Sequence, residues 1–307
     1  MNYLKSMLLL VLLGGIVSCS QSKYKKTPGG MPYQLFASKD TNSVRPGYFI
    51  KLSLTQKIND SVYFTTDNKL PLYLQVRSES NPYDVSEVWT SLHLGDSLVA
   101  TQMMDTFIKR MPGGGLPPQF KNGDRIFTFV KVLGIFQNDS LKSIDEKKVT
   151  LEFAANESKA VQSYLEKNKI NATQKTPSGV YVEVFDPGAG DFIKAGNYVS
   201  LKYTGKTLAG VVFDSNVDTA FKHTDLLNFT VQAGQMIKGF DDAMLLLKKG
   251  AKAKLYLPST LAYGAAPPPG AAIKPYENIM FEVMVMDVKE KEPVQQAPPP
   301  PPPAPKK

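Results

Sequence analysis

The stretch Val211-Val212-Phe213-Asp214-Ser215-Asn216 sets a carboxylate directly after an apolar, aromatic run. Asp and Ser are ordinary residues where a strand gives way to a turn, so local grounds alone make Asp214 a strand-end residue. The sharper alternative is a carboxylate facing an apolar pocket. Other residues able to do chemistry are few. His93 and His223 are the only histidines, far apart and without metal-ligand spacing, and they support neither a zinc centre nor a Ser-His-Asp hydrolase. Cys19 is the only cysteine, so an intrachain disulfide and a cysteine-based metal cluster are both excluded. The glycines of Pro-Gly-Gly-Gly-Leu-Pro-Pro are bracketed by prolines and read as a turn, not a phosphate cradle. No metal and no cofactor is expected.

The elements that must position Asp214 come from an internal repeat. Residues 30–66 align without a gap to residues 179–215 at a constant offset of 149, with eight of 37 positions identical. Phe36/Phe185, Thr55/Thr204 and Phe64/Phe213 are among them. Both copies continue through a short helix, a glycine turn (Gly95, Gly250) and two strands. The expected architecture is α+β: two domains, each a twisted, mostly antiparallel sheet wrapped on one short helix. A chain of 307 residues, 42% hydrophobic, is long enough for two such cores. Between the copies, Val149, Leu151 and Phe153 alternate like a strand. A connector helix follows, with Asn156 as its N-cap and Val161, Tyr164 and Leu165 on one face.

The ends differ in kind from the middle. Lys5 precedes an apolar run from Met7 to Val17, too short for a comfortable permanent membrane helix, and small residues lead into Cys19. Ile16-Val17-Ser18-Cys19 resembles a bacterial lipobox, which implies an acylated Cys19 and a membrane anchor. The net charge is +8, but residues 27–288 carry only +2 of it, so no basic groove for nucleic acid is expected. The proline-rich end reads as polyproline II.

Residues 173–289 resemble the FKBP-type peptidyl-prolyl cis–trans isomerases. The motifs are VSLKYTGKTLAGVVFDS, FTVQAGQMIKGFDDAMLLLKKGAKAKLYLPSTLAYG and IKPYENIMFEVMVMDV, in order and with family-like spacing. The resemblance places the catalytic pocket on Tyr203, Phe213, Asp214, Ile237, Phe240, Tyr263 and Phe281, and its substrate walls on Leu227, Met236 and Ile273. Leu227 stands where the family often has an aromatic wall residue, and Phe240 where it often has tryptophan. It further implies that the Ile237 N–H and the Tyr263 hydroxyl hold carbonyls of the bound peptide.

The first copy lacks these features. In the ungapped alignment Leu54 answers Tyr203 and Thr65 answers Asp214, while aligning the short helices sets Pro82 against Ile237 and Val85 against Phe240. It is expected to keep the fold without the activity. The division is then 1–18 lipoprotein signal peptide, 19–29 tether, 30–137 degenerate FKBP-like domain, 138–172 connector, 173–289 isomerase domain and 290–307 Pro-rich tail. Expected partners are proline-containing polypeptide clients, a membrane through Cys19 and a second copy of the chain through the first domain. The expected location is the bacterial cell envelope, at the outer membrane facing the periplasm. An isomerase assisting the folding of exported proteins is the leading reading. A non-catalytic chaperone or scaffold with a vestigial pocket is the other.

Overall fold

The computed structural model describes residues 24–110, 120–172 and 174–293. The expected signal peptide, Cys19, the Pro-Gly-Gly-Gly-Leu-Pro-Pro segment and the tail from residue 294 lie outside the described residues. Two compact units divide between Asp145 and Glu146.

The first unit contains strands β1 (Lys25–Lys26), β2 (Pro32–Phe36), β3 (Phe49–Ile58), β4 (Ser61–Thr65), β5 (Leu72–Gln75), β6 (Ser97–Met103) and β7 (Arg125–Phe136). They form one antiparallel sheet in the order β1-β2-β6-β7-β3-β4, with β5 also paired to β3. A 3-10 turn over Val85–Ser91 buries Val88 and Trp89 against the sheet, so Trp89 is a core residue. Helix α1 (Met104–Arg110) was not foreseen from the sequence.

Helix α2 runs from Asp139 to Lys167, 29 residues, so the expected strand at 149–153 and the N-cap at Asn156 are both wrong. The cap is Asn138, whose side-chain oxygen accepts the Leu141 N–H at 3.0 Å. The alternation that suggested a strand had no buried face behind it, since Leu151 is 63% exposed. Good helix formers carried the segment instead. The apolar face over Val161 and Leu165 is as expected: both are buried and pack with Tyr256.

The second unit holds β8 (Gln174–Lys175), β9 (Tyr181–Asp186), β10 (Ala189–Phe192), β11 (Tyr198–Thr207), β12 (Val212–Ser215), β13 (Leu227–Thr230), β14 (Lys248–Lys249), β15 (Lys252–Leu257) and β16 (Ile279–Lys289). Its main sheet has the order β8-β9-β15-β16-β11-β12, with β13 on β11, which is the first unit's topology strand for strand. Helix α3 (Lys238–Met244) lays Phe240, Ala243 and Met244 on the sheet's inner face, against residues such as Leu201, Leu255 and Phe281. Alternation of buried and half-buried residues along β16 from Ile279 to Met286 shows which face that is. The expected α+β fold, two units of one topology with mostly antiparallel sheets, is therefore what the chain adopts.

The repeat is not gap-free. β3 and β4 join through the two-residue Asn59-Asp60 turn, with Ile58 opposite Ser61. In the second unit the Thr207 N–H donates to the Val211 carbonyl at 2.9 Å across three residues, with Gly210 at φ 90°. That extra residue raises the offset to 150 along the returning strand. Asp214, which pairs with Gly205, is therefore answered by Phe64, which pairs with Gln56, and not by Thr65. Thr65 answers Ser215: the hydroxyl pair Thr55–Thr65 at 2.8 Å matches Thr204–Ser215 at 2.9 Å.

Candidate active site

A cavity of about 290 Å³ opens on the inner face of the second unit, lined by Tyr203, Asp214, Leu227, Gln235, Met236, Ile237, Phe240, Tyr263 and Phe281. Each side is supplied by a different element. β11 gives Tyr203, β16 gives Phe281 and α3 gives Phe240, while Tyr263 follows the short turn Ser259–Leu261. Phe240 and Phe281 meet edge to face at 4.9 Å between centroids, and Phe229 backs Phe240 at 6.0 Å.

Two backbone features make room for this arrangement. In the β11–β12 ladder Gly205 pairs with Asp214 and Lys206 with Val212, leaving Phe213 as the extra residue of a β-bulge. A bulge re-aims side chains next to it. Asp214 thereby lines the cavity while the Phe213 ring meets Tyr263 and Phe281 edge-on, at 6.2 and 5.6 Å. Gly205 is the other feature. A Cβ there would stand 2.5 Å from Phe213 Cε2 and 2.8 Å from Phe281 Cε1, so both rings lie over the bare backbone.

Asp214 is engaged on both oxygens. The Tyr203 hydroxyl donates to Oδ2 at 2.6 Å, and His223 Nε2 stands 2.8 Å from Oδ1. Burial, followed by the bond to Asp214 and its negative charge, pushes the Tyr203 hydroxyl's pKa well up. Burial, then Asp214, raises that of Tyr263 as well. Both phenols are therefore held as neutral donors. Asn216 fixes the strand behind them: its Oδ1 accepts the Tyr203 N–H at 2.7 Å, and its Nδ2 donates to the Leu201 and Asp225 carbonyls.

Eight of the ten residues that the resemblance singled out in this unit line the cavity. Phe213 and Ile273 belong instead to the buried core packed around it. Ile237 is the N-cap residue of α3, and no described residue accepts a hydrogen bond from its N–H. Sequence reasoning missed Gly205, Asn216, His223 and Gln235. Gly205 was visible, since it stands opposite Gln56 in the repeat. His223 carried no signal, because it reaches Asp214 across a turn whose path the sequence does not fix.

The first unit fills the same place differently. Gln56 stands at the Gly205 position and Thr128 at the Phe281 position, and Gln56 Nε2 donates to Thr128 Oγ1 at 3.3 Å. Leu54 replaces Tyr203, and Phe64, at the position of Asp214, is 42% exposed.

The family model for FKBP-type peptidyl-prolyl cis-trans isomerase matches residues 190–286. A "Probable FKBP-type peptidyl-prolyl cis-trans isomerase" of Haemophilus influenzae is 35% identical over 159 residues, covering 50% of this chain. The chain spans 63% of that relative's length. An "FK506-binding protein" of Neisseria meningitidis is 35% identical over 112 residues, 36% of this chain and 98% of the relative. Among solved structures, FkpA from Escherichia coli aligns with 49% of this chain and 70% of its own at 28% identity, with a TM-score of 0.37. With one relative matched almost end to end and the family model matching the segment that builds the cavity, the chain belongs to the FKBP-type peptidyl-prolyl cis-trans isomerase family.

Proposed function

We propose that the second unit isomerises Xaa–Pro bonds of polypeptide clients at the bacterial cell envelope, and that acylated Cys19 holds the protein to the membrane. The observation that supports the activity most is the aromatic cavity closed on one side by the Tyr203–Asp214 pair.

Rotation about a peptide bond faces a barrier of roughly 18–20 kcal/mol, set by amide resonance. The twisted transition state has lost that resonance and much of the amide dipole. A pocket walled by Phe240, Phe281 and Met236 disfavours the polar planar amide more than the twisted one. Each differential of about 1.4 kcal/mol is worth a factor of ten in rate. The Tyr263 hydroxyl and the Ile237 N–H hold carbonyls on either side of the proline, so one part of the peptide stays fixed while the other turns. Both Asp214 oxygens are engaged, so its part is to fix the Tyr203 ring and the field at the wall; no proton moves in this reaction.

An isomerisation assay of the full chain on a short Xaa-Pro peptide tests the activity. Wild type should run well above the uncatalysed rate, and Asp214→Val and Tyr263→Ala should each lose at least about tenfold in kcat/KM. A wild type at background would leave the non-catalytic chaperone as the surviving reading. The anchor is tested separately: Cys19→Ala should move the protein from the detergent phase to the aqueous phase, and an unchanged partition would refute acylation.

A further inference from the structure

Helix α2 packs on the sheet and loops of the second unit through a stripe, Phe153, Glu157, Val161 and Leu165, spaced by four residues, with Ser158, Gln162 and Tyr164 in contact beside it. Three residues of the stripe are apolar and pack on aromatic neighbours. Val161 and Leu165 cluster with Tyr256, and Phe153 meets the Tyr276 ring edge-on at 5.3 Å. The fourth is a carboxylate, only 7% exposed, where an apolar residue would avoid the cost of burying a charge.

That carboxylate grips the turn leading into Tyr263. Glu157 accepts the Ser259 hydroxyl on Oε1 and the Thr260 N–H on Oε2, the latter at 2.9 Å. Ser259 is fully buried, and its N–H donates to Asn278 Oδ1 at 2.8 Å. Its carbonyl takes the N–H groups of both Ala262 and Gly264 at 2.9 Å. Those two residues flank Tyr263 in sequence. The Gly264 carbonyl in turn accepts the Tyr276 N–H at 2.7 Å. On its other side the turn is pressed against α3: a Cβ at Gly239 would stand 2.9 Å from the Leu261 carbonyl oxygen. The Tyr263 backbone is thus clamped between the cavity's own helix and α2, a helix outside the repeated fold.

We infer that Glu157 is a positioning residue for Tyr263, so that α2 is part of the catalytic apparatus of the second unit and not only a connector. The hydrogen bonds to Glu157 fix Ser259, Ser259 fixes the two residues around Tyr263, and Tyr263 presents its hydroxyl to the cavity. The inference rests on the isomerase reading for its effect on rate, but not for its effect on the ring.

The test uses the full chain carrying Glu157→Ala, Glu157→Gln or Val161→Ala, with carbon-13-labelled tyrosine for NMR and the peptide isomerisation assay. Glu157→Ala should shift the Tyr263 resonance, leave that of Tyr203 in place and lower kcat/KM about tenfold, the equivalent of about 1.4 kcal/mol. Glu157→Gln keeps an acceptor for the turn and should stay within about threefold of wild type. Val161→Ala lies on the same stripe without touching the turn, so it should lower Tm while leaving both the Tyr263 resonance and the rate unchanged. An unmoved Tyr263 resonance in folded Glu157→Ala, or the same loss in Val161→Ala, overturns the inference. Should wild type prove inactive, the isomerase reading fails while the Tyr263 resonance still decides this one.

Discussion

His223 Nε2 stands 2.8 Å from Asp214 Oδ1, on the oxygen that Tyr203 does not use. Tyr203, Asp214 and His223 therefore form a hydrogen-bonded row of three, with the carboxylate in the middle. The pair is partly open to solvent, with Asp214 and His223 side chains 37% and 47% exposed, so water competes for that bond. His223→Ala should cost only about two- to fivefold in kcat/KM, the yield of one screened contact. Asp214→Val, which also releases the Tyr203 hydroxyl, should cost more. Equal losses in the two variants would show that His223 does more than steady Asp214.

Gly205 is where the two copies part company most sharply. Its missing Cβ lets Phe213 and Phe281 close over the strand, while Gln56 at the same place bonds Thr128. Gly205→Gln should push both rings outward. The expected result is a loss of at least tenfold in kcat/KM and an overpacking cost of about 1–3 kcal/mol in stability. Thermal unfolding and the isomerisation assay together check it. Wild-type rates would mean that the rings are not held where they matter.

Much of this was legible in the sequence, for reasons that differ by element. β3 and β11 kept their register because ten-residue strands alternate on one buried face, and a slip would turn every apolar side chain outward. The hairpin after them did not, because a two-residue and a three-residue turn both return the strand, and Phe64 and Phe213 aligned by coincidence of type. The aromatic lining was readable because the motifs are local. Ile273 packs in the core around the cavity, on a long irregular loop where no period says which way a side chain faces. Helix α2 was cut short because three alternating apolar residues imitate a strand when burial is unknown.

Burial raises the pKa of Tyr203, Tyr256, Tyr263 and Tyr276, with neighbouring carboxylates adding to it. The folded state therefore keeps these protons to higher pH than the unfolded chain does. The stability they contribute is fully present below the ordinary tyrosine pKa of about 10 and is lost as pH rises through the raised values. Tm should fall on going above pH of about 10, and phenolate absorbance of the folded protein should lag that of the denatured chain. Tyr203→Phe removes one of the four groups and should flatten the alkaline fall. Superimposable titrations of folded and denatured protein would contradict the buried donors.

The first unit should contribute nothing to the rate. Its counterpart of the cavity has Leu54 for Tyr203, Gln56 for Gly205, Phe64 for Asp214 and Thr128 for Phe281, so the neutral donor, the acid and one aromatic wall are all replaced. The fold survives because the exchanged positions line the cavity, while the core under them, Ile50, Leu52, Leu98 and Val132 among others, stays apolar and buried. Topology is set by that core, and catalysis by a handful of residues that the core does not need. In the full chain, Asp214→Val combined with Tyr263→Ala should therefore fall to the uncatalysed rate, with the first unit intact and folded. A residual rate in that double variant, abolished by a further Gln56→Ala, would place a second active site where these side chains leave no aromatic pocket.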